Sequence, residues 1–327
     1  MDGFRIPVGS WVDAGVDWLR DNLSGFFDVV AVTVRFLVGG LSDVLLAAPI
    51  VVVIVVAALL AWLLRSWKLA LGTVIGFALI LAMGQWVTAM QTLALVLVAT
   101  VVAVAISVPL GIWSARNPTV RAVLKPILDF MQTMPAFVYL IPAITFFSIG
   151  VVPGVVSTVI FALPPGVRLT ELGIRGVDAE TVEAGHAFGA TPGQILRGIQ
   201  LPLAMPTIMA GVNQVIMLAL SMAVVAGIVG ADGLGKEVVQ SISTVNLPKG
   251  VEAGLSVVIL AVYLDRLTAA LGNRSDNGSS LLAILGRRRA AGSTDATPSR
   301  PTPATDAAAQ AEREEASPRR APISTGA

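Results

Sequence analysis

The chain has few residues that could carry out bond chemistry, and the clearest candidate is a glycine-rich stretch that ends in a lysine. Gly230–Lys236 matches the first seven positions of a phosphate-binding P-loop. The next residue is Glu237, where that motif needs a serine or threonine hydroxyl to bind magnesium. The stretch also follows an apolar helix instead of a strand. We therefore expect no ATP binding and no cofactor on this chain.

The sequence also lacks the residues that other kinds of reactive site need. The sequence contains no cysteine and one histidine, His186, which excludes thiolate chemistry and a cluster of several histidines on a metal ion. No catalytic triad and no pair of carboxylates in a plausible cleft is evident. The formal net charge is +1, and no basic stripe interleaved with aromatic residues indicates nucleic-acid binding.

The most informative segment is the loop of residues 178–202, which is rich in helix-capping signals. Asp178 can cap a first short helix, and Gly189 is a natural left-handed terminator for it. Thr191 then begins a second helix, with Gln194 completing a capping box. A surface element with so many capping signals indicates a docking site. The second helix has an apolar face of Ile195, Leu196 and Ile199.

The composition indicates that most of the chain lies in lipid. Hydrophobic residues make up 55% and charged residues 13%, and the mean hydropathy is +0.81; a soluble domain carries roughly 25% charged residues. A helix needs about 20 apolar residues to cross a bilayer, and every span must be helical because lipid offers the backbone no hydrogen-bond partner. We predict seven membrane-spanning helices, with six as the alternative, at residues 44–64, 69–85, 87–114, 133–150, 152–167, 204–229 and 251–270. The fourth and fifth could instead form one re-entrant unit.

Basic residues favour one side of this predicted bundle. Arg65 and Lys68 separate the first two spans, and further basic residues follow the third, fifth and seventh. With seven spans all of these lie on one side, which the positive-inside rule assigns to the cytoplasm. The N-terminus is therefore expected outside and the C-terminus inside.

The two ends of the chain differ from its apolar middle. Residues 8–38 have apolar positions at helical spacing and acids on the other faces, which predicts an amphipathic helix on the outer membrane surface or against the bundle. From Asn273 onward, Ser, Thr, Pro and mixed charge predict a disordered cytoplasmic tail. The predicted domains are residues 1–43 (extracytoplasmic amphipathic segment), 44–85 (accessory membrane helices), 86–272 (transport domain) and 273–327 (tail).

Ionisable residues are nearly absent from the predicted spans. An intramembrane charge would mark a proton or sodium relay, so its absence argues against an ion-coupled carrier. Polar and sulfur-containing side chains remain, and one face of the sixth span is expected to line a passage. Phe130, Phe137 and Tyr139 are candidates for contact with a cation, although packing against lipid or the bundle is the better explanation for them. The predicted pathway residues are Gln91, Tyr139, Asn213, Gln214, Met217 and Ser221, with Thr92 nearby.

A motif at fixed spacing in the capped loop connects the chain to a known family. Glu183-Ala184-Gly185 is followed by Gly189 and then by Ile199-Gln200-Leu201-Pro202. This arrangement resembles the EAA loop of bacterial ABC importer permeases, with Gly185 in place of the second alanine. In that family the loop forms a coupling helix that fits a groove on the ATPase subunit. The resemblance implies ATPase-coupling roles for Glu183, Ala184, Gly185, Gly189, Ile199, Leu201 and Pro202.

Further segments, among them Met131–Tyr139, Leu201–Asn213 and Val262–Thr268, resemble the glycine betaine/proline betaine permeases. The resemblance implies an all-α, polytopic permease with the type I ABC importer fold in a bacterial cytoplasmic membrane. It also implies that the chain is not an enzyme. The partners would be a second copy, ATPase subunits that hold ATP and magnesium, an extracytoplasmic substrate-binding protein and a small quaternary-amine substrate. Choline, carnitine or another amino-acid-like solute is the alternative cargo, and a secondary transporter or a membrane scaffold are the alternative functions.

Overall fold

The computed structural model describes residues 7–272, without the side chain of Val8, and this part of the chain is helical between short turns. The all-α prediction is confirmed for these residues, and the predicted tail from residue 273 lies outside them. The helices that open the described part are α1 (Val8–Asn22), α2 (Ser24–Ala47), α3 (Ile50–Leu64) and α4 (Trp67–Ala82).

The middle and the end of the described part contain the longest helices. The middle helices are α5 (Trp86–Arg116), α6 (Pro118–Thr133), α7 (Leu140–Phe147) and α8 (Val151–Arg175), with a 3-10 turn at Ala136–Tyr139. The later helices are α9 (Ala179–Ala187), α10 (Pro192–Ile195), α11 (Leu201–Ala226), α12 (Leu234–Ser243) and α13 (Leu247–Gly272). A π-helical segment, Leu196–Gln200, joins α10 to α11 without a break.

The described helices include five that are long and apolar enough to cross a membrane: α2, α5, α8, the continuous helix Pro192–Val229 and α13. A sixth crossing results if α6 and the bent segment that follows it form one span. The seven-span prediction is therefore not confirmed. The alternative of six spans agrees with the larger of the two counts, which includes the bent segment. The difference lies at α3 and α4, whose 15 and 16 residues fall short of the roughly 20 that a bilayer requires.

The N-terminal segment differs from the single amphipathic helix predicted for residues 8–38. The helix breaks at Leu23, where Ser24 and Gly25 are weak helix formers. Most acidic residues lie before or just after this break, and α2 itself is apolar enough to rank among the candidate spans. Only 17% of its apolar window is buried in the protein, so most of its surface faces the surroundings.

A sharp bend separates α6 from α7, within a region predicted as one span at residues 133–150. The two helical segments meet at 108°. Pro135 explains the bend, because a proline disfavours helical backbone at the residue before it. Met134 accordingly has an extended conformation, with φ of −72° and ψ of 132°. The predicted re-entrant unit of residues 133–167 is thus wrong in position, since α8 is a continuous helix and the bend lies before α7.

The centre of the molecule is a close packing of α5 and α11 along α8. A Cβ atom on Gly111 would lie 2.5 Å from the Cβ of Thr170, and one on Gly166 would lie 2.5 Å from the Oγ of Ser107. Such distances leave no room for a methyl group between α5 and α8. Small residues at helix contacts are characteristic of membrane proteins, because they let backbones approach closely.

A buried hydrogen bond fixes the start of α12 against α5. The backbone N–H of Leu234 donates to the hydroxyl of Thr92 at 2.8 Å, and this hydroxyl donates to the carbonyl of Thr88 at 2.8 Å. Gly233 has a φ of 126°, and a Cβ atom there would lie 2.5 Å from the Oγ1 of Thr92. Thr92 therefore holds two elements together and does not face a passage.

The contact between α5 and α8 leads to a stability prediction. We expect Gly111→Ala to lower the free energy of unfolding by about 1–3 kcal/mol, as overpacking of a filled interior does. The measurement is the midpoint of thermal unfolding in detergent. The control is Gly254→Ala in α13, where an added Cβ meets no atom within 4 Å. Equal midpoints for the two variants would contradict the packing described here.

Candidate coupling and translocation sites

The capped loop forms as the sequence predicts. The carboxylate of Asp178 accepts a hydrogen bond from the N–H of Glu180 at 3.2 Å and so caps α9. At the other end Gly189 has a φ of 77°. The N–H of Gly189 donates to the carbonyl of His186 at 2.9 Å, and that of Ala190 donates to the carbonyl of Gly185 at 3.1 Å. This pair of bonds is a Schellman motif, which satisfies the last carbonyls of the helix.

The second predicted helix of the loop is the first part of a much longer one. The side-chain oxygen of Gln194 accepts hydrogen bonds from the N–H and the hydroxyl of Thr191, at 2.8 and 2.9 Å. The chain then continues through the π segment into α11. A separate short helix was therefore the wrong prediction, because no residue between Gln194 and Leu201 stops the helix. The loop is in direct helical continuity with a membrane span.

The seven predicted coupling residues divide into outward-facing and inward-facing sets. Glycine at position 185 is buried, and a Cβ atom there would lie 2.7 Å from the Cδ1 of Ile199. Gly185 and Ile199 thus pack α9 on the start of the long helix, and Leu201 is half-buried. The exposed members are Glu183, Ala184, Gly189 and Pro202.

One exposed residue of the loop was missed by the sequence analysis. Phe188 is 92% exposed and lies at the C-terminal end of α9. A fully exposed phenylalanine on a surface of small and charged residues is unusual, and aromatic anchors are enriched at protein interfaces. The signal was present in the sequence, since Phe188 is the one large apolar side chain between Val182 and Ile195.

A small apolar core connects the loop to the spans. Ile174 near the end of α8 is buried together with Leu196, Ala204 and Ile208 of the long helix. Leu201 packs against this cluster, together with Val177 just after α8. The loop is therefore packed against α8 and α11 at the same time.

The predicted pathway residues do not form one site. The amide nitrogen of Asn213 donates to Asp265 at 2.9 Å, and its oxygen accepts from the hydroxyl of Thr268 at 2.7 Å, so Asn213 joins α11 to α13. Tyr139 is buried, and its hydroxyl donates to the backbone carbonyl of Met131 across the bend before α7. Both side chains are engaged in holding helices. Gln91 is half-buried on α5.

The remaining three predicted pathway residues share one face of α11. Gln214, Met217 and Ser221 recur at helical spacing, and all three are exposed in this single chain. The hydroxyl of Ser221 donates to the carbonyl of Met217 at 3.0 Å, which leaves its oxygen free to accept. On the bend before α7, Phe137 is 56% exposed. These polar, sulfur-containing and aromatic side chains are therefore exposed in the single chain.

Polar groups of the P-loop-like stretch Gly230–Lys236 are bound to other groups of this chain. Lys236 forms an ion pair of 2.8 Å with Asp232, and this hydrogen bond and charge raise the pKa of Lys236. The N–H of Leu234 is bound to Thr92 and that of Lys236 to the carbonyl of Gly233. Two of the amide groups that a P-loop would offer to a phosphate are thus already occupied.

Comparisons with known proteins agree with this geometry. Residues 107–277 match the model of the family described as "Binding-protein-dependent transport system inner membrane component". The glycine betaine transport system permease protein OpuAB of Bacillus subtilis is 50% identical over 264 residues, which cover 81% of this chain and 94% of that protein. The glycine betaine/proline betaine transport system permease protein ProW of Escherichia coli is 48% identical over 270 residues, covering 83% of this chain and 76% of ProW.

A solved structure supports the predicted fold. The MetNI methionine ABC transporter, in an inward-facing conformation, superposes with a TM-score of 0.50 and 25% identity, over 58% of this chain and 93% of the MetNI chain. The permease fold of ABC importers, predicted from the capped loop, is confirmed. The chain belongs to the family of binding-protein-dependent transport system inner membrane components.

Proposed function

We propose that the chain is the permease subunit of an ATP-driven importer for glycine betaine, proline betaine or a closely related quaternary amine. The observation that carries the proposal is the capped loop, which is exposed on one side and packed through Ile174 and Leu196 onto two long helices on the other. The names of the two relatives, OpuAB and ProW, supply the substrate class.

The exposed surfaces of this chain support a proposal for where its partners bind. An ATPase subunit is proposed to dock on the exposed side of α9, with Phe188 as an apolar anchor and Glu183 as a charge beside it. Within the family, a binding protein delivers the substrate, and it is proposed to dock on the side opposite the loop. A second copy of the chain is proposed to complete the passage, because Gln214, Met217 and Ser221 are exposed in the single chain.

The proposed orientation places the coupling loop in the cytoplasm, the C-terminus inside and the N-terminus outside. Arg65, Lys68 and the basic residues after α5 and α8 then lie on the cytoplasmic side. This orientation requires the bent α6–α7 segment to cross and α2 to lie at the outer surface. It also requires α3 and α4 to cross a locally thinned bilayer, because their 15 and 16 residues are fewer than an ordinary bilayer needs. If α2 also crosses, the number of spans becomes even and the N-terminus moves to the cytoplasm.

The first prediction concerns the coupling loop. We expect Glu183→Lys and Phe188→Ala each to abolish ATP-driven uptake by proteoliposomes, because interface anchors contribute about 2 kcal/mol or more, roughly a thirtyfold change in affinity. Co-purification of the ATPase should fall in parallel. The thermal unfolding midpoint of the permease should stay unchanged, since Phe188 is almost fully exposed.

The matched control for Glu183→Lys is Asp17→Lys, a charge reversal at an exposed position of α1. It should leave ATPase binding and uptake unchanged. Normal uptake by both loop variants, at normal amounts in the membrane, would contradict the assignment of the loop to coupling.

The second prediction concerns the open face of α11. We expect Ser221→Phe to reduce glycine betaine uptake at least tenfold while ATPase binding is retained, because a large ring would obstruct the passage. Ser221→Ala, which shortens the side chain at the same position, should keep most of the uptake. If Ser221→Phe transports normally, this face of α11 does not line the passage.

The third prediction concerns orientation. The sequence contains no cysteine, so a single Ser10→Cys substitution reports the side of the N-terminus. In intact spheroplasts, a membrane-impermeant maleimide should label Ser10→Cys without permeabilisation. Thr244→Cys, between α12 and α13, is the control for the outer side, and Thr181→Cys in α9 the control for the cytoplasmic side. Labelling of Ser10→Cys only after permeabilisation would show that α2 crosses.

A further inference from the structure

A charged cavity lies where α6 packs against α8, apart from the coupling loop and from the face of α11. Its volume is about 320 Å³. Basic residues outnumber acidic ones in its lining by four to two. The basic side chains are Arg121, Lys125, Arg168 and Arg175, and the acidic ones are Asp129 and Glu171.

Both carboxylates of the cavity are already engaged. Glu171 binds the Nε of Arg121 at 2.7 Å through one oxygen and accepts from the hydroxyl of Ser114 at 2.7 Å through the other. Asp129 pairs with Arg168. These two ion pairs tie α6 to α8 and neutralise two of the four cations.

Two cations of the cavity remain uncompensated. Lys125 on α6 and Arg175 at the end of α8 have no ion pair or side-chain hydrogen bond within residues 7–272. The cavity thus presents a net positive charge of two beside a preformed opening. Charge-assisted bonds from lysine and arginine to phosphate oxygens are among the strongest hydrogen bonds that proteins make.

The outer face of α6 is apolar and uncovered. Val123, Ile127 and Phe130 recur at helical spacing and are 57%, 49% and 65% exposed. The two basic residues that α6 contributes to the cavity, Arg121 and Lys125, lie on another face of the helix. An exposed apolar face beside basic side chains suits contact with both the acyl chains and the headgroup of a lipid.

We propose that this cavity binds the headgroup phosphate of an anionic phospholipid, whose acyl chains lie along the apolar face of α6. Lys125 and Arg175 bind the phosphate, and Val123, Ile127 and Phe130 contact the chains. The apolar face favours a lipid over a free phosphate ion, because a soluble anion would gain nothing from it. The proposal places the cavity on the cytoplasmic side, where basic pockets between membrane helices bind anionic headgroups.

The position of this lipid would matter for the coupling loop. Arg175 lies three residues before Asp178, the cap of α9. A headgroup bound between Lys125 and Arg175 therefore clamps α6 to the end of α8 that leads into the loop.

The test is native mass spectrometry of the assembled, delipidated transporter, titrated with phosphatidylglycerol or with phosphatidylcholine of the same acyl chains. The wild-type complex should bind phosphatidylglycerol more tightly. Lys125→Gln/Arg175→Gln should weaken phosphatidylglycerol binding by roughly thirtyfold, about fivefold for each charge removed, and leave phosphatidylcholine binding unchanged. Both ion pairs of the cavity stay intact in this variant, so the fold is preserved.

The matched control is Arg65→Gln/Lys68→Gln, a basic pair on the same proposed side but outside the cavity. Phosphatidylglycerol binding that is unchanged in the cavity variant, or equally weakened in the control, overturns the proposal. Binding of soluble glycerol 3-phosphate as tightly as phosphatidylglycerol would assign the site to a free anion. Loss of an ATPase subunit from the spectrum, with lipid binding intact, would assign it to a protein partner.

Discussion

The close approach of α5 and α8 is the constraint on which the rest of the structure depends. Lipid tails are as apolar as leucine, so helices in a membrane gain little hydrophobic energy by meeting one another. Contact between α5 and α8 depends instead on Gly111 and Gly166, where a single methyl group would not fit. The same packing fixes the end of α8, and with it the start of the coupling loop. A scaffold built this way moves as rigid pieces, because it has no space in which to deform gradually.

In our proposal, that rigidity lets a loop outside the bilayer control a passage inside it. The loop continues into α11 as one helix and is locked to α8 by the cluster around Ile174 and Leu196. In the proposed function, ATP binding on the partner moves two loops together and shifts the population between two arrangements of the spans. No catalytic group is required of this chain, and several of its polar side chains join helices, such as Asn213 between α11 and α13.

The sequence was informative at the helix caps of the loop, where cause and effect lie within a few residues. The caps at Asp178, Gly189 and Gln194 depend on bonds between residues two to five positions apart, and the structure contains them. Features that depend on distant partners were not predictable. The bond from Asn213 to Asp265 spans 52 positions, and a helix that is apolar all round does not reveal which face meets protein and which meets lipid. For this reason the sequence alone could not predict which face of α2 meets protein or which residues Asn213 binds.

The central claim is that transport through this chain is driven by an ATPase acting on the coupling loop. The most direct measurement is the uptake of radiolabelled glycine betaine by proteoliposomes that contain the chain, its ATPase and its binding protein, with and without ATP on the ATPase side. Uptake that requires both ATP and the binding protein is the predicted result. Uptake without ATP that follows a sodium or proton gradient would contradict the account.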